Sequence, residues 1–253
     1  PPADYVVIES TYGDRTHAEL DPLVELERAL ARAIADDGIV IVPTFAVGRA
    51  QLLMLLIHRL KRAGKFTNIP VFLDSPMAID ATDLYLCFAS EHRVSPEECR
   101  AMCQGVTYVR TPEQSQALDQ LRSAAIILAS SGMATGGRVV HHLKVFAPDA
   151  RNMILLSGYQ AGGTRGAALA AGAKTVRIHG QEIAVRAEVA QLTSLSAHAD
   201  ADELMVWLRR FPRPKRVFVT HGEPNASDAI RRRIESELNA KVVVPDYRDR
   251  VEL

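Results

Sequence analysis

Short β-branched runs alternate with amphipathic stretches of helical spacing through most of this chain. Tyr5 to Ile8 is an apolar run of strand length. Leu23, Leu26, Leu30 and Ile34 then recur three or four residues apart, so they share one face of a helix that Asp36-Asp37-Gly38 brings to an end before a strand at Ile39 to Val42. A second helix, over roughly residues 47 to 62, carries Leu52, Leu53, Leu56 and Leu60 and closes at Gly64, ahead of a strand at Val71 to Leu73. Thr111-Pro112 opens another helix, with proline at the first helical position where its missing N–H is not needed. Ala125 to Ala129 and Asn152 to Leu156 read as buried strands. Strand, helix, strand in series predicts an α/β fold whose parallel sheet is covered by helices on both faces, because parallel neighbours need crossover connections. Ligands of such sheets bind beyond the carboxyl ends of the strands.

The texture changes after Gly172. Thr175 to Leu192 alternates as a hairpin around His179-Gly180, and two capped helices with intervening strands follow. Asp200 with Glu203 predicts a capping box for the helix carrying Leu204, Val206, Trp207 and Leu208, and Asn225 is expected to cap the helix carrying Ile230, Ile234 and Leu238. Residues 173–253 therefore read as a second domain, or part of one.

Bulk properties narrow the classes. With 253 residues, 47% hydrophobic and 24% charged, the chain has an ordinary globular composition. Its 30 Lys and Arg balance 30 Asp and Glu, so there is no overall basic field and a nucleic-acid partner would need a local cleft. Cys87, Cys99 and Cys103 lack paired metal-ligand spacing, which predicts reduced thiols and a cytoplasmic protein. No apolar run approaches the ~18 residues of a membrane span. The chain opens Pro1-Pro2-Ala3-Asp4 and runs straight into its first strand, without initiator methionine or signal peptide, as though cut from something longer.

The chemical signals cluster where strands end. Glu9 closes the first apolar run and precedes the hydroxyl-rich Ser10-Thr11-Tyr12; by itself it reads as a strand-end residue making turn hydrogen bonds. His198 stands just before a helix N-terminus, where a lone histidine is more often structural than catalytic. His221 is the stronger signal, because the strand Val217-Phe218-Val219 delivers it ahead of Gly222, a common way to fix a metal ligand at a sheet edge. Two glycine-rich turns follow strands: Ser130-Ser131-Gly132-Met133-Ala134-Thr135-Gly136-Gly137-Arg138 and Ser157-Gly158-Tyr159-Gln160-Ala161-Gly162-Gly163-Thr164-Arg165-Gly166. Each either cradles a phosphate on backbone N–H groups at a helix start or is merely a tight turn; the pair, each with hydroxyls and an arginine, favours anion binding. His141-His142 reads as surface or packing, since adjacent helical residues diverge by about 100°.

Seven segments in order, ESTYGDRTH (9–17), PTFAVGRAQ (43–51), DSPMA (74–78), SSGMATGGRVVHHL (130–143), SGYQAGGTRG (157–166), SLSAHAD (194–200) and VTHGEP (219–224), resemble the motif series of the β-CASP nucleases of the metallo-β-lactamase superfamily. The likeness is to bacterial and archaeal RNA-processing members and to the endonuclease subunit that cleaves eukaryotic pre-mRNA 3′ ends. It implies that residues 1–12 enter from an upstream metallo-β-lactamase half, that 13–172 form a β-CASP domain, and that 173–253 form the C-terminal part of the metallo-β-lactamase αββα fold. It also implies a zinc-dependent RNA phosphodiester hydrolase, an endoribonuclease with 5′-3′ exonuclease action as a further mode, acting on single-stranded RNA. Glu9 and His198 would be the catalytic pair of the first two β-CASP motifs, with His221 the third-motif histidine that ligates one of two zinc ions held ~3.5 to 4 Å apart. Arg49, Arg138 and Arg165 would supply charge beside the glycine turns.

The His-x-His-x-Asp-His loop, a further histidine ligand and the bridging aspartate lie upstream of the Glu9 motif in relatives, and Asp4 is too close to Glu9 to be that aspartate. The expectation is a fragment that is inactive alone, with the upstream half and a second copy of the chain as candidate partners. Two alternatives stand beside it: a non-catalytic RNA-binding or scaffold module of a processing complex, of which intact Glu9, His198 and His221 disfavour the degenerate scaffold form, and a DNA-processing family member, which the histidine at 221 disfavours because those tend to carry valine.

Overall fold

The computed structural model describes residues 3–212 and 214–252; Pro1 and Pro2, which head the expected entering segment, lie outside the described residues. In chain order the elements are β1 (Tyr5–Glu9), α1 (Pro22–Ala35), β2 (Ile39–Pro43), α2 (Arg49–Arg62), β3 (Val71–Asp74), α3 (Pro76–Cys87), α4 (Pro96–Gln104), β4 (Thr107–Tyr108), α5 (Pro112–Leu118), β5 (Ala125–Ala129), α6 (Arg138–Phe146), β6 (Met153–Leu156), α7 (Arg165–Ala170), β7 (Thr175–Ile178), β8 (Gln181–Ala184), β9 (Glu188–Gln191), α8 (Ala201–Leu208), β10 (Arg216–Thr220), α9 (Pro224–Leu238) and β11 (Val242–Val243). They fall into two compact units: Leu20–Leu195, and Pro1–Glu19 together with Ser196–Leu253.

The larger unit is the expected α/β layer structure. Its six-stranded sheet has the order β4-β3-β5-β2-β6-β9, and every pairing is parallel. β2, β5 and β6 are buried along their whole length, as strands covered on both faces must be. Alternation sorts their side chains. Val40, Val42, Ile126 and Leu128 pack with α1, α2 and α3, whereas Ile39, Ile41, Ile127 and Ala129 pack with α6 and Leu169 of α7. The connections leaving the adjacent strands β2 and β5 thus go to opposite faces, which opens a crevice at their carboxyl ends.

The domain boundary expected near Gly172 lies inside this unit. β7 and β8 form the expected hairpin, with His179 and Gly180 both at positive φ in its turn, but β9 leaves it and pairs parallel to β6, as in Leu155 with Ala190. That pairing ties residues 173–195 to the larger sheet. Alternation alone could not foresee it, because it does not name a partner strand.

The smaller unit is a parallel sheet of order β1-β10-β11 with α8 and α9 contributing to its core. Val6, Ile8, Val217 and Val219 join the buried cluster with Leu204, Met205, Ile230 and Ile234, while Val7 is 65% exposed. The Asp200–Glu203 capping box forms as expected. Asn225 does not cap α9; Glu223 takes the N-cap position with Pro224 at N1, and Asn225 lies inside the first turn.

A charged cluster is buried in the larger unit. Asp74, fully buried at the end of β3, accepts from Arg138 Nη1 at 2.5 Å, Ser115 Oγ at 2.5 Å and His142 Nε2 at 2.7 Å, and His142 Nδ1 lies 2.9 Å from Asp119 Oδ1. His142 is therefore packing, as expected of it, while His141 points outward. Burial pushes the His142 pKa down, but the two carboxylates outweigh it and the net shift is upward. Burial pushes Asp74 up, and its hydrogen bonds with His142, Ser115 and Arg138 turn the net shift downward. The stabilisation from a raised histidine is complete below its unfolded value of about 6.5 and is lost as pH rises through the folded value. That from a lowered aspartate is complete above about 3.9 and is lost as pH falls. His142→Gln is expected to cost on the order of 3 kcal/mol at about pH 6, with a smaller deficit at about pH 9. Urea unfolding of both proteins at the two pH values checks this; an equal deficit at both would mean that His142 is neutral in the folded chain.

Candidate functional site

Parallel pairing of β1 with β10 sets Glu9 beside Thr220, so a carboxylate and the Thr-His-Gly turn come together from distant parts of the chain. The turn keeps its shape for steric reasons. His221 has φ 54°, and a Cβ on Gly222 would lie 2.5 Å from the Ser10 carbonyl oxygen. Ser10 itself is buried and donates to Thr220 O at 2.7 Å, locking the ends of the two strands to each other.

Three expected residues converge here. Glu9 Oε2 is 3.2 Å from His198 Nδ1 and 4.0 Å from His221 Nδ1, and the two imidazoles stack with centroids 5.5 Å apart at 27°. Glu9 also accepts the Thr11 N–H at 2.9 Å. Burial raises the Glu9 pKa, and the Thr11 hydrogen bonds with the nearby His198 more than reverse it, leaving the carboxyl below its ordinary value. Glu9 is thus a carboxylate at neutral pH.

Sequence reasoning missed the residue at the centre. Thr11 Oγ1 lies 3.3 Å from His198 Nδ1 and 3.2 Å from His221 Nδ1, and it donates to the His221 carbonyl at 3.1 Å. The available signal was its hydroxyl two positions past a strand-end carboxylate. His17 was missed as well. Its Nε2–H donates to the His198 carbonyl at 2.9 Å and its N–H to Asp200 Oδ2 at 2.8 Å, while Tyr12 packs edge-on against both His17 and His198. Asp200 Oδ1 meanwhile accepts the Asp202 and Glu203 N–H groups, so the start of α8 holds the His198 loop. His17, Asp200 and Glu203 form a second group of metal-type donors, but these bonds already engage the first two in framing His198.

The glycine turns sit at the carboxyl ends of β5 and β6 in the larger unit, and their side chains mostly brace the turns themselves. Ser130 Oγ donates to Ser75 Oγ at 2.8 Å, Ser131 Oγ lies 3.2 Å from Thr135 Oγ1, and Ser157 Oγ donates to Pro43 O at 2.9 Å. Gln160 Nε2 donates to Gly132 O at 3.1 Å, and Thr164 caps α7. Gly137 and Gly163 have φ of 74° and 77°, which meets the tight-turn reading. Gly136 has open space around it, and Arg49 is near Gly158, its Nη2 3.7 Å from where a Cβ would stand. Tyr159 is half-buried in the second turn.

Arg138 and Arg165 are both bonded within the larger unit. Arg138 is bonded to Asp74, Val109 O and Arg110 O, and Arg165 to Arg177 O and Ala134 O. Donors held by a buried carboxylate and main-chain carbonyls fix the geometry of the turns. Sequence could not reveal this, since those acceptors arrive from other elements. No helix among the described residues is long and apolar enough to cross a membrane.

Comparisons with known proteins agree with these motifs. Residues 50–169 match the Beta-Casp domain, and residues 182–245 match the Zn-dependent metallo-hydrolase RNA specificity domain. The chain is similar to a ribonuclease of Thermus thermophilus, 39% identical over 237 residues that make up 88% of this chain and 52% of the relative. It is similar to an RNase J-like protein of Methanocaldococcus jannaschii, 32% identical over 96% of this chain and 57% of the relative. Transcription termination factor FttA of Pyrococcus abyssi is 32% identical over the whole chain and 41% of its own length. The chain thus spans about half the length of the curated relatives it matches. Two adjoining family domains, relatives of one kind along nearly the whole chain, and the meeting of Glu9, His198 and His221 give one answer: this chain belongs to the β-CASP family.

Proposed function

We propose that this chain carries the acid–base pair and one metal ligand of a zinc-dependent RNA phosphodiester hydrolase that works as an endoribonuclease. The observation that carries the reading is the convergence of Glu9, His198 and His221 on Thr11, with ligand-type atoms of the three within 4.8 Å of one another. RNA as the substrate class is supported by the RNA specificity description of residues 182–245 and by relatives named ribonuclease and RNase J-like protein.

Two imidazoles and a carboxylate are donors that suit zinc, so the residues fit the metal the family description names. His221, with 68% of its side chain exposed, is the ligand in this reading. Zinc, when bound, stabilises charge on the phosphoryl group and activates water. The rest is work for this chain's own residues. Glu9 and Thr11 hold His198 by Nδ1, which leaves Nε2 as the ring nitrogen that donates a proton to the leaving oxygen. The Glu9 carboxylate, 3.2 Å from Nδ1, fixes the orientation of that imidazole. One ligand falls short of a two-ion shell, so cleavage is expected only where further ligands are supplied.

Calorimetric titration of the 253-residue chain should show at most one zinc, bound weakly, and His221→Ala should abolish it. Two tightly held ions per chain would overturn the ligand assignment. In a protein with a complete metal site, His198→Ala is expected to slow single-turnover RNA cleavage by ~10²- to 10⁴-fold while zinc content holds. His221→Ala should lose zinc and activity together, and Glu9→Gln should resemble the His198 change more mildly. If metal analysis shows His198→Ala stripping zinc while His221→Ala keeps it, the two roles are exchanged.

Thr11 gives a separate check. Thr11→Val removes the hydroxyl between the imidazoles at nearly constant volume, and Thr11→Ser keeps it. Histidine ring nitrogen resonances measured by NMR should move for both His198 and His221 in the valine variant and stay close to wild type in the serine variant. Unmoved resonances in Thr11→Val would remove Thr11 from the site.

A further inference from the structure

The turn after β2 presents an aromatic ring that the chemistry above does not use. Phe45 is 50% exposed, although Thr44 before it and Ala50 after it are fully buried. Its backbone is pinned on both sides: the Thr44 N–H donates to Ala129 O at 3.0 Å, and the Ala50 N–H donates to Phe45 O at 3.2 Å. The ring lies against the peptide of Gly132, where a Cβ would stand 3.0 Å from Cδ2 and Cε2. Gly132 thereby seats one side of the ring and leaves the remainder to solvent. The Gly132 carbonyl is in turn held by Gln160 Nε2 at 3.1 Å, so turns following three neighbouring strands, β5, β2 and β6, set the ring's position.

A half-exposed phenylalanine is unremarkable by itself. Location separates this one from Phe88, Trp207 and Tyr247, which are similarly or more exposed but lie at a helix end, on a helix face and near the C-terminus. Phe45 stands at the carboxyl ends of β2 and β5, whose connections leave to opposite faces of the sheet, the place where ligands of such sheets bind. A rigid, half-bare ring in that crevice has little ordering entropy to lose when something flat is laid on it. Unpaired nucleobases are flat, apolar on their faces and alike in stacking, whereas base pairs of a duplex keep those faces covered.

We propose that Phe45 is a stacking platform for one unpaired base of single-stranded RNA, tolerant of base identity, with Gly132 as the residue that seats it. The proposal rests on the RNA reading above. Stacking on an aromatic side chain supplies affinity without reading base edges, so the platform grips RNA at a point the Glu9–His198–His221 group does not itself define.

Fluorescence anisotropy of the whole chain with labelled oligouridylate, oligoadenylate and an abasic oligomer of equal length tests it. Phe45→Ala and Phe45→Leu should each weaken binding of both base-bearing oligomers by roughly 5- to 100-fold, and Phe45→Tyr should stay close to wild type. Gly132→Ala, whose added methyl must displace the ring, should weaken it as well. The abasic oligomer should bind wild type and Phe45→Leu alike. Full affinity in Phe45→Leu would show an apolar contact without stacking and overturn the platform while leaving the RNA reading intact. So would unchanged affinity in Phe45→Ala. Failure of wild type to bind any base-bearing oligomer would overturn the RNA reading and the platform with it. Phe45→Leu and Phe45→Tyr retain most of the side-chain volume, so the comparison holds even if Phe45→Ala is too unstable to measure.

Discussion

The register between β1 and β10 is the constraint on which the smaller unit's chemistry depends. Glu9 faces Thr220 because five consecutive residues of each strand pair in parallel. A slip of β1 by one residue would turn Val6 and Ile8 out of the core and carry Glu9 away from His221. Burial of Val6, Ile8, Val217 and Val219 against α8 and α9 therefore enforces the position of the carboxylate. The buried Ser10 hydroxyl adds a polar lock at the strand ends, where apolar packing gives out. An apolar core and one hydroxyl thus set how far the carboxylate stands from His221.

Around that register the polar residues fall into layers. Glu9, His198 and His221 face solvent to different degrees, and Thr11 ties all three. Behind them, His17 and Asp200 hold the loop that carries His198, one through its backbone carbonyl and the other through the helix cap. Each outer residue limits the freedom of an inner one, which is how a polar site keeps its geometry.

The larger unit uses charge in the opposite way. Asp74, Arg138, His142 and Asp119 form an ion cluster that is mostly buried and bonded inward. Such a cluster is justified by the position it gives its members more than by net stability, because desolvation offsets much of the attraction. Here it joins the ends of β3 and α5 to the start of α6, and so steadies the turn from Ser130 to Gly137. The ring of Phe45, 50% exposed, stands beside these turns.

Periodicity and caps were enough to read most of the elements from the amino-acid order. Five-residue apolar runs such as Ala125 to Ala129 leave little choice but a covered strand, and Asp200 with Glu203 caps its helix through contacts three residues apart. The ordered motifs likewise brought out Glu9, His198 and His221, since each follows or precedes a local structural signal. What local order could not contain is partnership. That β9 joins β6, that Arg138 and Arg165 are held by acceptors from other elements, and that Thr11 stands between two histidines 23 positions apart in sequence all depend on contacts distant along the chain. Local propensity acts within a turn or two of helix or strand, whereas hydrogen-bond partners and steric neighbours are chosen only when the sheets close.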